Sequence, residues 1–188
     1  MKKEILTETE LETSRLLFDN KERTTKTLNQ FQVQAVTEIE QQFESKQAVL
    51  LHGVTGSGKT EILIEMKKRG IQVIDLEGLA HHRGSAFGHL GLEEQPSSEH
   101  FENLLSHELQ QMDFTKPIWV EDESRHIGKV FMTESFYDRL RQSPCLFLDI
   151  DAKYRLPHLV QVYAQYPKAD LLRALEKIKK RLGGQHFQ

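Results

Sequence analysis

Hydrophobic positions follow two regimes along the chain. Over residues 1–46 they are sparse and helically spaced, with Phe31, Ala35, Ile39 and Phe43 recurring every fourth residue, the stripe of an amphipathic helix. A second helical stretch precedes it, and the polar segment Asn20-Lys21-Glu22-Arg23-Thr24-Thr25-Lys26 between them has no apolar period and reads as a linker. From about Ala48 short apolar runs alternate with amphipathic segments. Ala48-Val49-Leu50-Leu51, Val73-Ile74, Pro117-Ile118-Trp119-Val120 and Cys145-Leu146-Phe147-Leu148 predict four strands. Between the first two, Thr60 to Arg69 predicts a helix with Ile62, Leu63 and Met66 on one side. Phe101, Leu104, Leu105, Leu109 and Met112 predict another. Thr133 caps a predicted helix running to Gln142, and two closing helices are broken at Pro167 and ended by Gly183-Gly184.

Strands alternating with helices predict an α/β fold with a mainly parallel sheet flanked by helices, preceded by an N-terminal helical arm. The chain divides into an arm or linker (1–46), one α/β domain (47–184) and a short tail (185–188). In such sheets ligands lie beyond the carboxyl ends of the strands.

The first strand ends on Gly53-Val54-Thr55-Gly56-Ser57-Gly58-Lys59-Thr60, a full match to G-x-x-x-x-G-K-[ST] between a strand and a helix. The glycines let the backbone curl so that N–H groups of Gly53, Thr55, Gly56, Ser57 and Gly58 can face phosphate oxygens. Lys59 supplies positive charge at the terminal phosphates, Thr60 a hydroxyl for Mg2+, and the helix start its dipole. The domain is therefore expected to be P-loop NTPase-like. Thr60 needs a carboxylate partner from a neighbouring strand end. The third strand runs into Glu121-Asp122-Glu123, and one of Glu121 or Asp122 is expected to face the metal while the other orients water or substrate. Asp75 and Glu77 end the second strand on the same side, Asp75 being a further candidate Mg2+ ligand.

The stretch from Gly78 to Ser97 carries His81, His82, Arg83 and His89 without a second ligand pair at zinc-like spacing, so it predicts a catalytic or substrate-contacting loop, with His82 and Arg83 as candidates. Arg125 follows the acidic run, where it could stabilise phosphate charge or pair with the neighbouring acids. Arg173, Lys177, Lys179, Lys180 and Arg181 lie on the last helix as a solvated face or an RNA contact. Cys145, inside an apolar run, is expected to be a buried core thiol.

Composition narrows the classes. With 188 residues, 25 Lys+Arg against 28 Asp+Glu and a net charge of −3, there is no whole-chain electrostatic case for nucleic acid or membrane. A single cysteine excludes an intramolecular disulfide and a four-thiolate metal site. No apolar run reaches the roughly 18 residues of a membrane span, and the N-terminus lacks a signal peptide's apolar region, so a cytoplasmic location is expected.

The flanking words add a family resemblance. Asp75-Leu76-Glu77-Gly78-Leu79-Ala80-His81-His82-Arg83-Gly84-Ser85-Ala86-Phe87-Gly88 resembles the DLEGLAxHRGSxFG signature of tRNA 2-selenouridine synthases. Trp119-Val120-Glu121-Asp122-Glu123-Ser124-Arg125-His126-Ile127-Gly128 resembles the family's WVEDESRxIG block, and Gln95-Pro96-Ser97 and Lys180-Arg181-Leu182-Gly183-Gly184 fall in the family's order. The resemblance implies modification of 2-thiouridine at the tRNA wobble position, by selenophosphate-dependent replacement of sulfur and by geranylation from geranyl diphosphate. Full family members carry an N-terminal rhodanese domain. Residues 1–46 are too short for one, so selenium transfer by this chain is expected to need a separate rhodanese-domain partner. Whether the loop holds geranyl diphosphate or a nucleotide such as ATP or GTP stays open. Two other classes are also compatible: a nucleotide-gated tRNA-binding module and, from Gln30 to Val36 ahead of the loop, a helicase-like ATPase fragment.

Overall fold

The apolar runs from Ala48 onward become the strands of one parallel sheet, whose inner strands β1 and β3 are buried on both faces. The computed structural model describes residues 48–182; the predicted arm with its Phe31–Phe43 stripe and the tail lie outside them. The elements are β1 (Ala48–Gly53), α1 (Lys59–Lys68), β2 (Gln72–Ile74), α2 (Leu76–Leu79), α3 (Ser98–Gln110), β3 (Ile118–Glu121), β4 (His126–Ile127), β5 (Val130–Phe131), α4 (Glu134–Arg141), β6 (Cys145–Leu148), α5 (Ala152–Tyr163) and α6 (Lys168–Leu182). The four long strands form a parallel sheet in the order β2-β3-β1-β6, and β4 and β5 make a separate antiparallel hairpin. This is the predicted α/β P-loop fold, with the phosphate-loop strand β1 directly beside β3.

The chain leaves β1 toward β2 on one side, and after β3 it crosses to β6 on the other. The switch point therefore falls at the β1–β3 crevice, where a ligand is expected. One sheet face packs Val49, Leu51, Val73 and Trp119 against Ile62, Leu63 and Met66 of α1. The other packs Leu50, Ile74, Ile118 and Val120 against Phe101 and Leu105 of α3, Leu140 of α4 and the hairpin's Ile127 and Val130. Register fixes the site: Leu51 lies opposite Glu121, so the last residue of β3 ends beside the start of the phosphate loop.

One expectation is overturned. Cys145 is exposed, not a core thiol. Among the described residues β6 is one of the sheet's two edge strands; Leu148 and Leu146 turn toward the α1 face while Cys145 and Phe147 turn the other way.

Candidate phosphate-binding site

The loop after β1 is held in shape by its own backbone. Gly56 and Gly58 take positive φ of 84° and 77°, a region open to glycine, and the Ser57 N–H donates to the Val54 carbonyl at 2.9 Å. Gly53 is required for a different reason, since a Cβ there would stand 2.3 Å from Ser57 Oγ. The loop delivers the chain into α1, whose N-terminus has no side-chain cap, which leaves its first-turn N–H groups for a ligand anion.

Lys59 opens α1 and meets carboxylates from two other segments. Its ammonium stands 3.3 Å from Glu77 Oε1 and pairs directly with Glu123. Thr60 Oγ1 donates to the second oxygen of Glu77 at 3.3 Å. Beneath them Glu121 is fully buried, its Oε2 accepting the Glu77 backbone N–H at 2.8 Å. Glu121 Oε1 and Ser57 Oγ are the buried side-chain polar atoms without a hydrogen-bond partner among the described residues. Burial, then the charges of Asp75 and Glu77, pushes the Glu121 carboxyl well above the usual carboxylate range. Burial likewise raises Glu77, to about 7, against the opposing pull of Lys59. Burial alone would lower Lys59, but Glu77, Glu121 and Glu123 outweigh it and hold the ammonium charged. Two buried acids, Glu77 and Glu121, and the part-buried Glu123 around one cation leave excess negative charge, which a proton or a further cation must balance.

Asp75 caps α2, its Oδ1 accepting the Gly78 N–H at 2.7 Å. That cap folds Glu77 back over the phosphate loop. The next turn brings in the histidine loop: Gly84 has a φ of 62°, and a Cβ there would stand 2.7 Å from Glu123 Oε2 and 3.1 Å from Glu77 Oε1. His82 is buried, and its Nδ1 accepts the Gly84 N–H at 3.2 Å. Burial and the neighbouring His89 lower its pKa, so the ring is neutral near pH 7. The Arg83 guanidinium is directed at the Leu90 carbonyl (2.8 Å), closing the loop on itself. The loop's far side reaches α5, with Ser85 Oγ and Tyr163 Oη sharing a hydrogen bond at 3.0 Å.

Asp122 and Arg125 lie apart from the Lys59 cluster. Asp122 faces the opposite side of the sheet from Glu121, bonded to His52 Nδ1 at 2.7 Å and paired with Arg141. Arg125 Nε donates to the Met132 carbonyl at 3.3 Å and braces the β4–β5 hairpin. Of the sequence candidates, Lys59, Thr60, Glu121 and the loop glycines come together, with Asp75 holding the turn behind them and His82 the loop above. Glu77 and Glu123 are central as well. Their signal in the sequence was position alone, each just beyond a strand's carboxyl end.

These oxygens suit Mg2+. It prefers hard oxygen donors, keeps several waters, and binds through one or two carboxylates plus substrate phosphates rather than a complete protein cage. Thr60 Oγ1 and the unpartnered Glu121 Oε1 supply that chemistry, and no ready-made cluster of three His, Cys, Asp or Glu ligands occurs among the described residues.

Comparison with known proteins agrees with the motif order. The family model described as tRNA 2-selenouridine synthase AAA domain matches residues 46–188. The tRNA 2-selenouridine synthase of Shewanella frigidimarina is 35% identical over 175 residues, covering 81% of this chain and 46% of that protein. That of Marinobacter nauticus is 36% identical over 172 residues, again 81% and 46%. That of Nitrosomonas europaea is 37% identical over 131 residues, 68% of this chain and 34% of its own length. The chain thus spans about half the length of the curated relatives it matches, or less. Among solved structures, AMPPCP-bound DnaA from Aquifex aeolicus matches 78% of this chain and 55% of its own at 15% identity, with a TM-score of 0.37. Sheet order and phosphate loop, rather than that likeness, identify the fold here.

Proposed function

We propose, for a chain that belongs to the tRNA 2-selenouridine synthase family through its AAA domain, that the phosphate loop binds a phosphorylated substrate with Mg2+ during modification of 2-thiouridine at the tRNA wobble position. The observation that carries this reading is the meeting of Lys59 and Thr60 with Glu77 and Glu123 above a buried, half-satisfied Glu121. Lys59 is held charged and needs only to exchange carboxylate oxygens for phosphate oxygens. The loop N–H groups and the α1 dipole add fixed positive potential where a diphosphate leaving group gains charge.

Geranyl diphosphate is the ligand we favour over ATP or GTP. In this scheme the 2-thio sulfur attacks the prenyl carbon next to the diphosphate, the carbon–oxygen bond breaks, the uracil N3 proton leaves to solvent, and Lys59 and the loop stabilise the departing diphosphate. Mg2+ would supply charge neutralisation at the phosphates; Thr60 and Glu121 would hold it, with the Thr60 hydroxyl turned from Glu77. Replacing the alkylated sulfur by selenium draws on selenophosphate and releases the sulfur as geranyl thiol, and a rhodanese domain serves that step. Of the two adjacent acids we assign the metal role to Glu121, because Asp122 is engaged by His52 and Arg141.

A second reading, a nucleotide-gated tRNA-binding module, is favoured by one contact. The loop touches α5, where Arg155 Nη1 donates to the Thr55 carbonyl at 3.4 Å and Leu159 lies beside Gly56, so loop occupancy can be felt by the closing helices. Product analysis separates the two. Diphosphate release from geranyl diphosphate that depends on thiolated tRNA supports the transferase, whereas ATP hydrolysis without tRNA supports the switch.

A further inference from the structure

Positive charge collects without acid partners beside the phosphate site. The histidine loop follows β2 and the β4–β5 hairpin follows β3, so both depart from the carboxyl end of the sheet. Gln95 pins them together: its Nε2 donates to the Ala80 and Ile127 carbonyls, both at 2.9 Å, and its Oε1 accepts the Lys129 N–H at 2.8 Å. Gly128 of the hairpin turn is pressed on the His82 ring, where a Cβ would stand 2.7 Å from it. The loop's Gly91 abuts Tyr166, between α5 and α6. From there α6 buries Ala174, with Asp170 and Lys177 on the same helical face at either side of it.

Three cations surround the stacked rings of His82 and His89, whose centroids lie 6.4 Å apart. Arg83 adjoins His82 in the chain, and its guanidinium meets the Leu90 carbonyl rather than a carboxylate. Lys129 and Lys177 are exposed, and none of the three makes an ion pair among the described residues. Burial is the first cause lowering both histidines; His89 then acts on His82, Lys177 on both rings, Lys129 on His89 and Arg83 on His82. The acids within the same reach are already engaged, Glu123 by Lys59 and Asp170 by Arg173 at 3.5 Å. Locally the balance of a chain with 28 acids and 25 bases is thus reversed.

Exposure and spread select the ligand. A single small phosphate needs converging, shielded donors, as Lys59 and the phosphate-loop N–H groups provide. Lys129 and Lys177 are exposed and stand on separate elements, which suits a chain of phosphates contacted one at a time. We propose that Arg83, Lys129 and Lys177 form a track for the sugar-phosphate backbone of RNA, laid across the histidine loop. The track rests on the reading of tRNA as the substrate and adds the face by which it approaches. Gly84 of the same loop lies against Glu77 and Glu123, so the track borders the Lys59 cluster.

The test titrates an anticodon stem-loop RNA carrying 2-thiouridine into the full chain by fluorescence anisotropy, over a range of salt. Lys129→Ala/Lys177→Ala should bind it about tenfold or more weakly at about 0.1 M salt, and the slope of log affinity on log salt should fall by about 1.4–1.8, as for two lost phosphate contacts. Thermal melts should leave this variant with the wild type. Lys67→Ala/Lys116→Ala removes the same charge from the opposite end of the sheet, where Lys67 closes α1 and Lys116 precedes β3, and should bind RNA as the wild type does. Equal RNA affinity of the wild type and the Lys129/Lys177 variant, an equal loss in the Lys67/Lys116 variant, or a wild type that binds no RNA overturns the proposal. Inorganic diphosphate with Mg2+ gives the second arm. Its affinity should be the same in the wild type and Lys129→Ala/Lys177→Ala; a parallel loss would return both lysines to the phosphate-loop site and overturn the track. Failure of the phosphate-loop reading shows separately, as diphosphate binding indifferent to Lys59→Ala while the RNA result stands.

Discussion

Lys59 and Thr60, adjacent at the start of α1, both engage Glu77: the Lys59 ammonium lies 3.3 Å from one carboxylate oxygen, and the Thr60 hydroxyl donates to the other at 3.3 Å. The residue after β2 that lends both oxygens is itself hung from Glu121 through its backbone N–H. The groups proposed to contact phosphate and metal are thus tied to one acidic cluster, and on that proposal ligand binding rearranges the cluster as a unit.

Glu121→Gln keeps an acceptor for the Glu77 N–H and removes a buried carboxyl whose ionised form is disfavoured by burial beside Asp75 and Glu77. The ligand-free variant should therefore melt at the same temperature as the wild type or above it, as seen when buried charge is replaced without losing shape. Its Mg2+-dependent gain in ligand affinity should disappear. Asp122→Asn should keep that gain, since Asp122 is bonded to His52 and Arg141 on the other side of the sheet. Thermal melts and titrations with and without Mg2+ check both.

Gly84→Ala should cost more than Gly70→Ala, although both glycines have positive φ. The left-handed conformation alone costs about 1–2 kcal/mol for an L-residue. Gly70 has nothing within 4 Å of an added Cβ, whereas at Gly84 that atom would strike Glu123 and Glu77. With about 2–4 °C per kcal/mol for a chain of this size, Gly70→Ala should lower the melting temperature by a few degrees and Gly84→Ala by more. Phosphorylated-ligand affinity should fall only in Gly84→Ala.

His82 carries a pH signature. Burial, with His89, depresses its folded pKa below the unfolded 6.5, so the folded state binds fewer protons there than the unfolded state. Stability should be fully present above about pH 6.5 and decline as pH falls through the folded value. The His82 Nδ1 acceptor for the Gly84 N–H is lost on protonation. Because the raised Glu77 carboxyl contributes the opposite slope over the same range, the His82 contribution is read as a difference: chemical denaturation between pH 5 and 8 should show the wild type losing more stability than His82→Gln as pH falls below about 6.5.

Much of this was legible before any coordinates. The phosphate loop declared itself because its glycines, lysine and threonine have fixed spacing, and the four strands because each apolar run is flanked by breakers. Which of Glu121 and Asp122 faces α1 was not legible: β3 is apolar on both sides, so its pattern carries no parity signal until register with β1 is known. Cys145 misled for a related reason. An apolar run is expected to be buried on both sides, but strand order puts β6 at an edge, and strand order is a long-range property. The β4–β5 hairpin, only two residues per strand, is too short to leave a period.

Calorimetric titration of geranyl diphosphate, ATP and GTP, each with Mg2+, into the wild type and Lys59→Ala tests the central claim most directly. The account predicts that geranyl diphosphate binds the wild type and that the loss of the Lys59 charge weakens it by about tenfold or more, as expected for a charge-assisted contact worth at least 1.4 kcal/mol. Equal binding to both proteins, or binding of nucleotides alone, would contradict it.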